Sequence, residues 1–314
     1  MYPDLSYILH DIFGTSVDNW SSLVKTFGLF LALAFLTAAY LLYLELKRKA
    51  DAGLFVSHDV KDEKGEIKQA YPHDRVGDIT MVAALSGLAG AKIFAVLESM
   101  ENIKSFMSDP IGTLFSGSGL AMYGGLIGGF IGVYWFITKK LKMNALYMMD
   151  AVAVGLIMAY AVGRIGCQLS GDGDWGIVSG PQPTWWFLPD WLWAYDYPRN
   201  VINSSGHPHE IIQGFTGKYN TRLTPSVFPT PLYETIASSL IGAFLWSIRK
   251  SLKAPGVLFM IYLIFNGIER FFIEKIRVND KLAGSWTQAE IIAVALVVIG
   301  IVGGFLLQKK YKDK

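Results

Sequence analysis

Seven apolar stretches, each long enough to cross a lipid bilayer, constrain this chain more than any other feature of its sequence. A spanning helix needs ~20 mostly apolar residues, because each residue advances about 1.5 Å and the hydrocarbon layer is about 30 Å thick. We therefore predict an all-α polytopic membrane protein that forms a single membrane domain over residues 1–314. The predicted spans are residues 24–44, 79–97, 119–138, 147–169, 232–248, 256–276 and 291–307.

The composition agrees with a membrane protein and disfavours other classes. Hydrophobic residues make up 52% of the chain and charged residues 17%, against about 25% charged residues in a typical soluble protein. The net charge of +2 gives no reason to expect a nucleic-acid partner. Cys167 is the single cysteine, which excludes an internal disulfide and a multi-cysteine metal site. We predict no metal and no cofactor.

The basic loops predict the orientation in the membrane. Cytoplasmic loops are enriched in Lys and Arg, and four basic clusters fall on one side if the N-terminus is outside and the C-terminus is cytoplasmic. In this arrangement residues 46–77 form a cytoplasmic loop and residues 171–231 form an extracytoplasmic head between the fourth and fifth spans. The four clusters lie at residues 47–49, 139–142, 249–253 and 309–312.

The predicted head is rich in aromatic residues, and two interpretations stay open. Trp and Tyr are enriched at both membrane–water interfaces, so these rings could form an aromatic belt on the lipid headgroups. They could instead form a lid or docking surface over an active site. The aromatic residues are Trp175, Trp185, Trp186, Trp191, Trp193, Tyr195 and Tyr197.

Polar residues inside the spans gather towards the outer leaflet. A charge inside a span costs about 2.5–3.5 kcal/mol on insertion scales and usually marks function. Arg270, Glu274 and Arg277 have i, i+4, i+7 spacing, which predicts one shared helix face. Arginines at headgroup depth suit a phosphate, since a guanidinium offers a bidentate fork. The other members of this outer group are Lys92, Glu98, Tyr123, Arg164 and Glu234.

Simpler interpretations exist for several of these residues. Charged side chains at helix ends can extend to the headgroups without any further role. Gly124 and Gly125 belong to a run of glycines that favours close helix packing, although a patch facing the substrate is also consistent with it. Asp172 lies in a Gly-Asp-Gly-Asp sequence at 171–174 that resembles only part of a calcium loop. Cys167 is interpreted as a small core residue, because no His accompanies it as a base.

Four short motifs occur along the chain: MYGGLIG at 122–128, GRIG at 163–166 continuing to Gly171-Asp172 and Trp175-Gly176, PTPLYE at 229–234, and RFFIE at 270–274 with Arg277. The first motif includes Tyr123, the second Arg164, the third Glu234 and the fourth Arg270. Together they resemble the bacterial prolipoprotein diacylglyceryl transferase family. Their order and spacing match that family over residues 27–307, as do the seven spans and the outside N-terminus.

The resemblance implies a transferase of the bacterial cytoplasmic (inner) membrane. The family moves diacylglyceryl from phosphatidylglycerol to the lipobox Cys thiol in the signal peptide of a prolipoprotein, and it needs no cofactor. By position, Arg164 and Arg270 would hold the phosphate, Glu274 would orient Arg270, and Asp172 would stand in for a family Glu. Tyr123 would activate the thiol or polarise the glyceryl carbon. The expected substrate-binding residues are Lys92, Gly124, Gly125, Glu234 and Arg277.

The chain departs from the family pattern at several positions, which makes it a divergent member. Cys167 and Ser170 stand where the family has Asn, Phe228 where it has His, and Phe27 where it has Tyr. Lys92 replaces an Arg. Two alternatives follow: a paralogue that acts on another acceptor or lipid, and a non-enzymatic lipid or anion transporter. A transporter is expected to place polar groups along a whole pathway, so the one-sided grouping disfavours it.

Overall fold

The computed structural model describes residues 1–55, 57–61, 67–115, 121–202, 208–279, 281–283 and 286–312. These residues are mostly helical. The α-helices in this part of the chain are α1 Leu5–Phe13, α2 Thr26–Asp51, α3 Val76–Leu97, α4 Met100–Ser108, α5 Pro110–Phe115, α6 Met122–Trp135, α7 Ala145–Ser170, α8 Thr230–Ile248, α9 Val257–Glu274 and α10 Gln288–Lys312.

The strands are short and lie in the connections between helices. Three antiparallel pairs occur in the described residues, each of two strands. The strands are β1 His58–Lys61 with β2 Ile67–Ala70, β3 His209–Ile211 with β4 Thr221–Leu223, and β5 Lys281–Ala283 with β6 Trp286–Thr287. The first pair lies within the predicted cytoplasmic loop, of which residues 56 and 62–66 are outside the described residues.

Four helical segments are long and apolar enough to cross a membrane: Thr26–Asp51, Pro72–Leu97, Ala145–Ser170 and Gln288–Lys312. They overlap the first, second, fourth and seventh predicted spans. Apolar side chains stay exposed along them, with Leu36 at 65% in α2 and Phe305 at 68% in α10. An exposed apolar surface of this length suits contact with lipid. The prediction of an all-α membrane protein is therefore confirmed.

The other three predicted spans are also helices, but they are shorter or more polar. Helix α6 has 14 residues, and the predicted span around it begins at residues 119 and 120, which lie outside the described residues. Helix α8 contains Glu234, and α9 contains Glu269, Arg270 and Glu274. Charged residues lower the mean hydropathy of a segment, so α8 and α9 are not among the helices that are apolar enough to cross a membrane by composition alone. The count of seven spans stays a prediction.

The chain divides into two compact units, Met1–Ala38 with Val152–Lys314, and Ala39–Ala151. In the second unit α3 packs directly on α6 through glycines. A Cβ atom at Gly90 would lie 2.3 Å from the Gly124 carbonyl oxygen and 2.8 Å from Gly128 Cα. In the first unit, a glycine likewise lets α9 and α10 approach each other closely. A Cβ atom at Gly267 would lie 2.5 Å from the Ala293 carbonyl oxygen.

The segment that joins α7 to α8 holds a small core of its own. Trp175, Tyr197, Leu223 and Val227 are buried together, and Met1 packs with them. Of the seven aromatic residues in the predicted head, Trp175 and Tyr197 therefore belong to this core, and Tyr195 packs against it. Others are exposed, with Trp185 at 67% and Trp191 at 51%.

Helix α7 ends at Ser170 in a turn that directs the chain into this segment. Gly171 has a φ of 63°, and its N–H donates to the Cys167 carbonyl at 3.0 Å. A Cβ atom there would lie 2.7 Å from Asn200 Cβ. Glycine fits because it adopts left-handed backbone angles without a steric penalty and carries no side chain. The last turn of α7 is thereby fixed next to residues 172–176.

Candidate active site

Glu234 is the centre of a group of charged side chains in the first unit. It lies in the first half of α8 and is fully buried. Arg164, on α7, donates to Glu234 Oε2 through both Nε and Nη2. The Tyr160 hydroxyl, one helical turn before Arg164, donates to Glu234 Oε1 at 2.9 Å. A buried carboxylate needs partners of this kind, because an unpaired buried charge costs several kcal/mol.

Two further guanidiniums reach the same carboxylate. Arg270 Nη1, from α9, lies 3.3 Å from Glu234 Oε1. Arg277 Nη1 lies 3.6 Å from that oxygen. Arg164 from α7 and two arginines at or just beyond the end of α9 thus converge on Glu234. Arg270 is the most exposed of the three, with 26% of its side-chain surface accessible.

Asp174 links two of these arginines. Arg164 Nη1 donates to Asp174 Oδ2, and Arg277 Nη2 donates to Asp174 Oδ1 at 2.7 Å. Although burial acts to raise the pKa of the Asp174 carboxyl, the positive charges of Arg164 and Arg277 hold it below its ordinary value. The pKa of the Arg277 guanidinium is raised: burial opposes this, and the charges of Asp174 and Glu234 cause it.

Glu274 holds the other side of Arg270. Glu274 Oε2 lies 3.0 Å from Arg270 Nη2, and Glu274 Oε1 accepts from Asn279 Nδ2 at 2.7 Å. Arg270 therefore lies between two carboxylates, one on its own helix and one on α8. This contact matches the expected pairing of Glu274 with Arg270.

The expected common helix face for Arg270, Glu274 and Arg277 is wrong for Arg277. Helix α9 ends at Glu274, with Lys275 as its C-cap. The backbone after it pairs with the segment that follows α7: Gly176 forms an isolated bridge with Arg277, and Ile177 N–H donates to the Ile276 carbonyl at 2.8 Å. A turn at residues 275 and 276 ends the helix, and the bridge with Gly176 then brings Arg277 to Asp174.

Asp172 lies next to this group but holds none of its arginines by an ion pair within the described residues. One of its oxygens lies within 4.8 Å of Cys167 Sγ and of the Asp174 carboxylate, and Asp172 Oδ1 accepts a long hydrogen bond of 3.4 Å from the Asp174 N–H. Burial raises the pKa of the Asp172 carboxyl, and the negative charge of Asp174 adds to the rise. Cys167 is buried, and its Sγ lies 3.4 Å from Arg164 Nη1.

The remaining expected site residues lie in the second unit. Tyr123 is half-buried near the start of α6. Lys92 is buried on α3, and its Nζ donates to the Thr113 carbonyl at 3.3 Å. Gly124 is in tight contact with α3, whereas a Cβ at Gly125 would find ordinary contacts of 3.5 Å or more. Gly124 therefore serves close packing of α6 on α3. The roles of Tyr123, Lys92, Gly124 and Gly125 towards substrate stay predictions.

Sequence reasoning missed three residues that lie in or beside this group. Tyr160 carries no charge and looks like an ordinary aromatic residue in a span. Asp174 lies two residues after Asp172, the residue that was expected to take the place of the family Glu. Glu269, on α9, is buried, with 7% of its surface exposed. Neither of its carboxylate oxygens has a hydrogen-bond partner in the described part of the chain. The cost of a charge inside a span was the available signal for Glu269.

Comparison with known protein families gives a match over most of the chain. A sequence model of the prolipoprotein diacylglyceryl transferase family matches residues 19–306. The chain belongs to this family. Family members named phosphatidylglycerol–prolipoprotein diacylglyceryl transferase are similar over most of their length. That of Dehalococcoides mccartyi (strain 195) is 26% identical over 295 residues, which is 93% of both chains.

Two clostridial members of the family are also similar. The protein of Clostridium novyi is 28% identical over 242 residues, which cover 77% of this chain and 82% of that protein. The protein of Clostridioides difficile is 30% identical over 240 residues, which cover 76% and 81% respectively. Both carry the same name as the Dehalococcoides protein.

The residues that depart from the family pattern have different contacts in the structure. Ser170 Oγ donates to the Gly166 carbonyl at 2.8 Å, within its own helix. The Phe228 ring packs edge-on against Trp193 at 5.2 Å, and its carbonyl accepts from Gly176 N–H at 2.9 Å. Phe27 is 42% exposed near the start of α2. Cys167 Sγ lies 3.4 Å from Arg164 Nη1, so this departure lies directly beside one of the three arginines.

Proposed function

We propose that this chain transfers diacylglyceryl from phosphatidylglycerol to the lipobox cysteine of a prolipoprotein signal peptide, at the outer leaflet of the bacterial cytoplasmic membrane. The observation that carries the proposal is the convergence of Arg164, Arg270 and Arg277 on the buried Glu234. Membership of the family supplies the substrates, because its relatives are named for phosphatidylglycerol and prolipoprotein.

In the proposed reaction the acceptor thiol is the nucleophile. Its sulfur forms a bond to the glyceryl carbon, and the bond from that carbon to the phosphate oxygen breaks. Glycerol phosphate leaves with the electron pair, and the thiol proton passes to a base. A free thiol has a pKa of about 8.5, so this proton must be removed for efficient attack. Tyr123 is proposed to assist thiol activation or to polarise the glyceryl carbon.

The arginines are proposed to stabilise the charge that develops on the leaving phosphate. Arg270 is the most exposed of the three and lies between Glu234 and Glu274, which fix its direction. Arg164 is more deeply buried and held through several of its donors. Preorganised donors of this kind need little reorganisation when the negative charge appears. Lys92, Gly124 and Gly125 are proposed to bind the lipid substrate.

The proposed topology places this chemistry outside the cytoplasm. The seven apolar stretches are proposed to cross the membrane with the N-terminus outside and the C-terminus inside. Residues 171–231 would then form the extracytoplasmic head, of which residues 203–207 lie outside the described part, and residues 46–77 the cytoplasmic loop. Arg164 stands near the outer end of α7 in this arrangement, at the depth of the lipid phosphates.

Transfer assayed with purified components tests the proposal. The protein is placed in phosphatidylglycerol vesicles with a lipobox peptide, and the thioether adduct and released glycerol phosphate are measured. We expect equimolar products, with no adduct on a peptide whose lipobox Cys is replaced by Ser or in phosphatidylethanolamine vesicles. The matched control for arginine variants is Arg222→Lys, because Arg222 pairs with Glu210 on the surface. An inactive wild-type protein in this assay would contradict the proposal and favour a paralogue or a transporter.

A further inference from the structure

We propose that Asp174, and not Asp172, is the carboxylate that positions Arg164 and Arg277 for the transfer. This inference rests on the proposed function. Asp172 occupies the place of a family Glu by its spacing from Arg164, so sequence alone selects it. The contacts select its neighbour two residues further along the chain.

The two oxygens of Asp174 are divided between two arginines. Oδ2 accepts from Arg164 Nη1, and Oδ1 accepts from Arg277 Nη2 at 2.7 Å. Hydrogen bonds between ionised partners are shorter and about twice as strong as neutral ones. Asp174 therefore bridges the two guanidiniums, which also share Glu234, and its charge offsets their mutual repulsion.

The backbone holds Asp174 in place independently of its side chain. Its carbonyl accepts from Thr230 Oγ1 at 2.8 Å. Two residues later, the Gly176 N–H donates to the Phe228 carbonyl at 2.9 Å, and Gly176 forms the bridge with Arg277. These contacts join the segment after α7 to the start of α8 and to the chain just beyond α9. They involve the backbone of residues 174–176, so a substitution of the Asp174 side chain leaves them intact.

Asp174 is the closest charged partner of Arg277, at 2.7 Å. The second carboxylate contact of Arg277, with Glu234, is longer, at 3.6 Å, and Arg277 Nε has no hydrogen-bond partner within the described residues. Arg164 retains Glu234 if Asp174 is removed, and Arg270 retains both Glu234 and Glu274. Loss of the Asp174 carboxylate should therefore release Arg277 first and Arg164 in part.

Asp172 has different contacts. It lies against Cys167, and its hydrogen bond from the Asp174 N–H is long, at 3.4 Å. Within the described residues it forms no ion pair with Arg164, Arg270 or Arg277. Its removal should disturb the arginines less than the removal of Asp174.

Steady-state kinetics of the full-length protein in phosphatidylglycerol vesicles tests the inference. We expect Asp174→Asn to lower kcat by about 10²-fold, the scale of a misplacement of roughly 1 Å, with little change in KM for the lipobox peptide. Asp174→Glu should recover most of that loss, because it restores a carboxylate. Asp172→Asn should lose clearly less activity than Asp174→Asn. Asp190→Asn, the same chemical change at an exposed position, is the matched control.

A double-mutant cycle separates positioning from a loss of folded protein. If Asp174 acts through Arg277, the effect of Arg277→Gln should be much smaller in the Asp174→Asn background than in the wild type. Independent effects that multiply, no recovery in Asp174→Glu, or a larger loss in Asp172→Asn would overturn the inference. Wild-type activity in the same assay is the reference, so a failure of the proposed function is recognised by an inactive wild type.

Discussion

Arg164 uses nearly all of its hydrogen-bonding capacity in the site. Nε and Nη2 bind Glu234, and Nη1 binds Asp174 and approaches Cys167 Sγ. A lysine at this position keeps the charge but offers a single nitrogen, so it cannot serve both carboxylates in the same geometry. The whole planar group therefore matters, and not only its charge.

We expect Arg164→Lys to lose about 10²–10³-fold in kcat, comparable to the removal of one oxyanion donor. The measurement is transfer to the lipobox peptide at matched amounts of folded protein. Near-normal turnover would remove Arg164 from the phosphate role.

Cys167 is the only thiol in the sequence and lies beside Arg164, which makes it a tempting nucleophile for a two-step transfer. Its burial leaves little room for a lipid chain to be attached, and the acceptor's own thiol suffices for direct attack. We expect Cys167→Ser and Cys167→Asn to keep most activity. Intact mass after incubation with phosphatidylglycerol alone should show no adduct. An adduct that later moves to the peptide, with an inactive Cys167→Ser, would establish a covalent intermediate.

At the scale of elements, the contact between α3 and α6 is set by the absence of side chains. A Cβ at Gly90 would meet the Gly124 carbonyl oxygen at 2.3 Å, and the nearest atom is backbone, so it cannot rotate away. Gly129, on the same helix as Gly124, has room: its Cβ would lie 3.6 Å from the Ala83 carbonyl oxygen. The two positions form a matched pair.

We expect Gly90→Ala to destabilise the protein by about 1–3 kcal/mol, the usual cost of overpacking. Gly129→Ala should be neutral or slightly stabilising, because alanine is the better helix former by about 1 kcal/mol. Thermal unfolding in detergent compares the two variants. Equal melting temperatures for Gly90→Ala and Gly129→Ala would show that α3 and α6 can move apart without loss of stability. Close packing would then not explain the glycines, and contact with substrate would remain as their role.

The elements were largely predictable from the sequence, and the pairing of side chains was not. Apolar length alone located a helix in each of the seven stretches, because hydropathy is a property of local sequence. The departure of Arg277 from the helix is fixed by its isolated bridge with Gly176, which lies about a hundred positions earlier in the chain. Helical spacing therefore placed Arg277 wrongly, and spacing from Arg164 selected Asp172 in place of Asp174. Tyr160 became visible only through its contact with Glu234.

At the scale of the whole molecule, the proposed orientation can be tested by labelling. In a Cys167→Ser background, single cysteines replace Ser16, Thr216 or Ser251, which are all exposed. We expect a membrane-impermeant maleimide to label Ser16→Cys and Thr216→Cys in intact spheroplasts, and Ser251→Cys only after lysis. Labelling after lysis shows that each thiol is reactive. Early labelling of Ser251→Cys would reverse the proposed topology.

The charges of the site nearly cancel before any substrate arrives. The guanidiniums of Arg164, Arg270 and Arg277 pair with the carboxylates of Asp174, Glu234 and Glu274. Two more acidic residues, Asp172 and Glu269, lie nearby. A phosphodiester would bring one further negative charge into this group, so we expect lipid binding to be coupled to the uptake of a proton.

Asp172 is suited to take up that proton, because burial and the charge of Asp174 already raise its pKa. We expect binding of the anionic lipid to raise this pKa further. By linkage, the affinity for phosphatidylglycerol should be highest when Asp172 is protonated and should fall as the pH rises through its pKa in the free protein. Turnover carries the opposite trend from thiol ionisation, so equilibrium binding is the quantity to measure. An affinity that does not change with pH in the wild type, or equal pH dependence in Asp172→Asn, would exclude Asp172 as the proton acceptor.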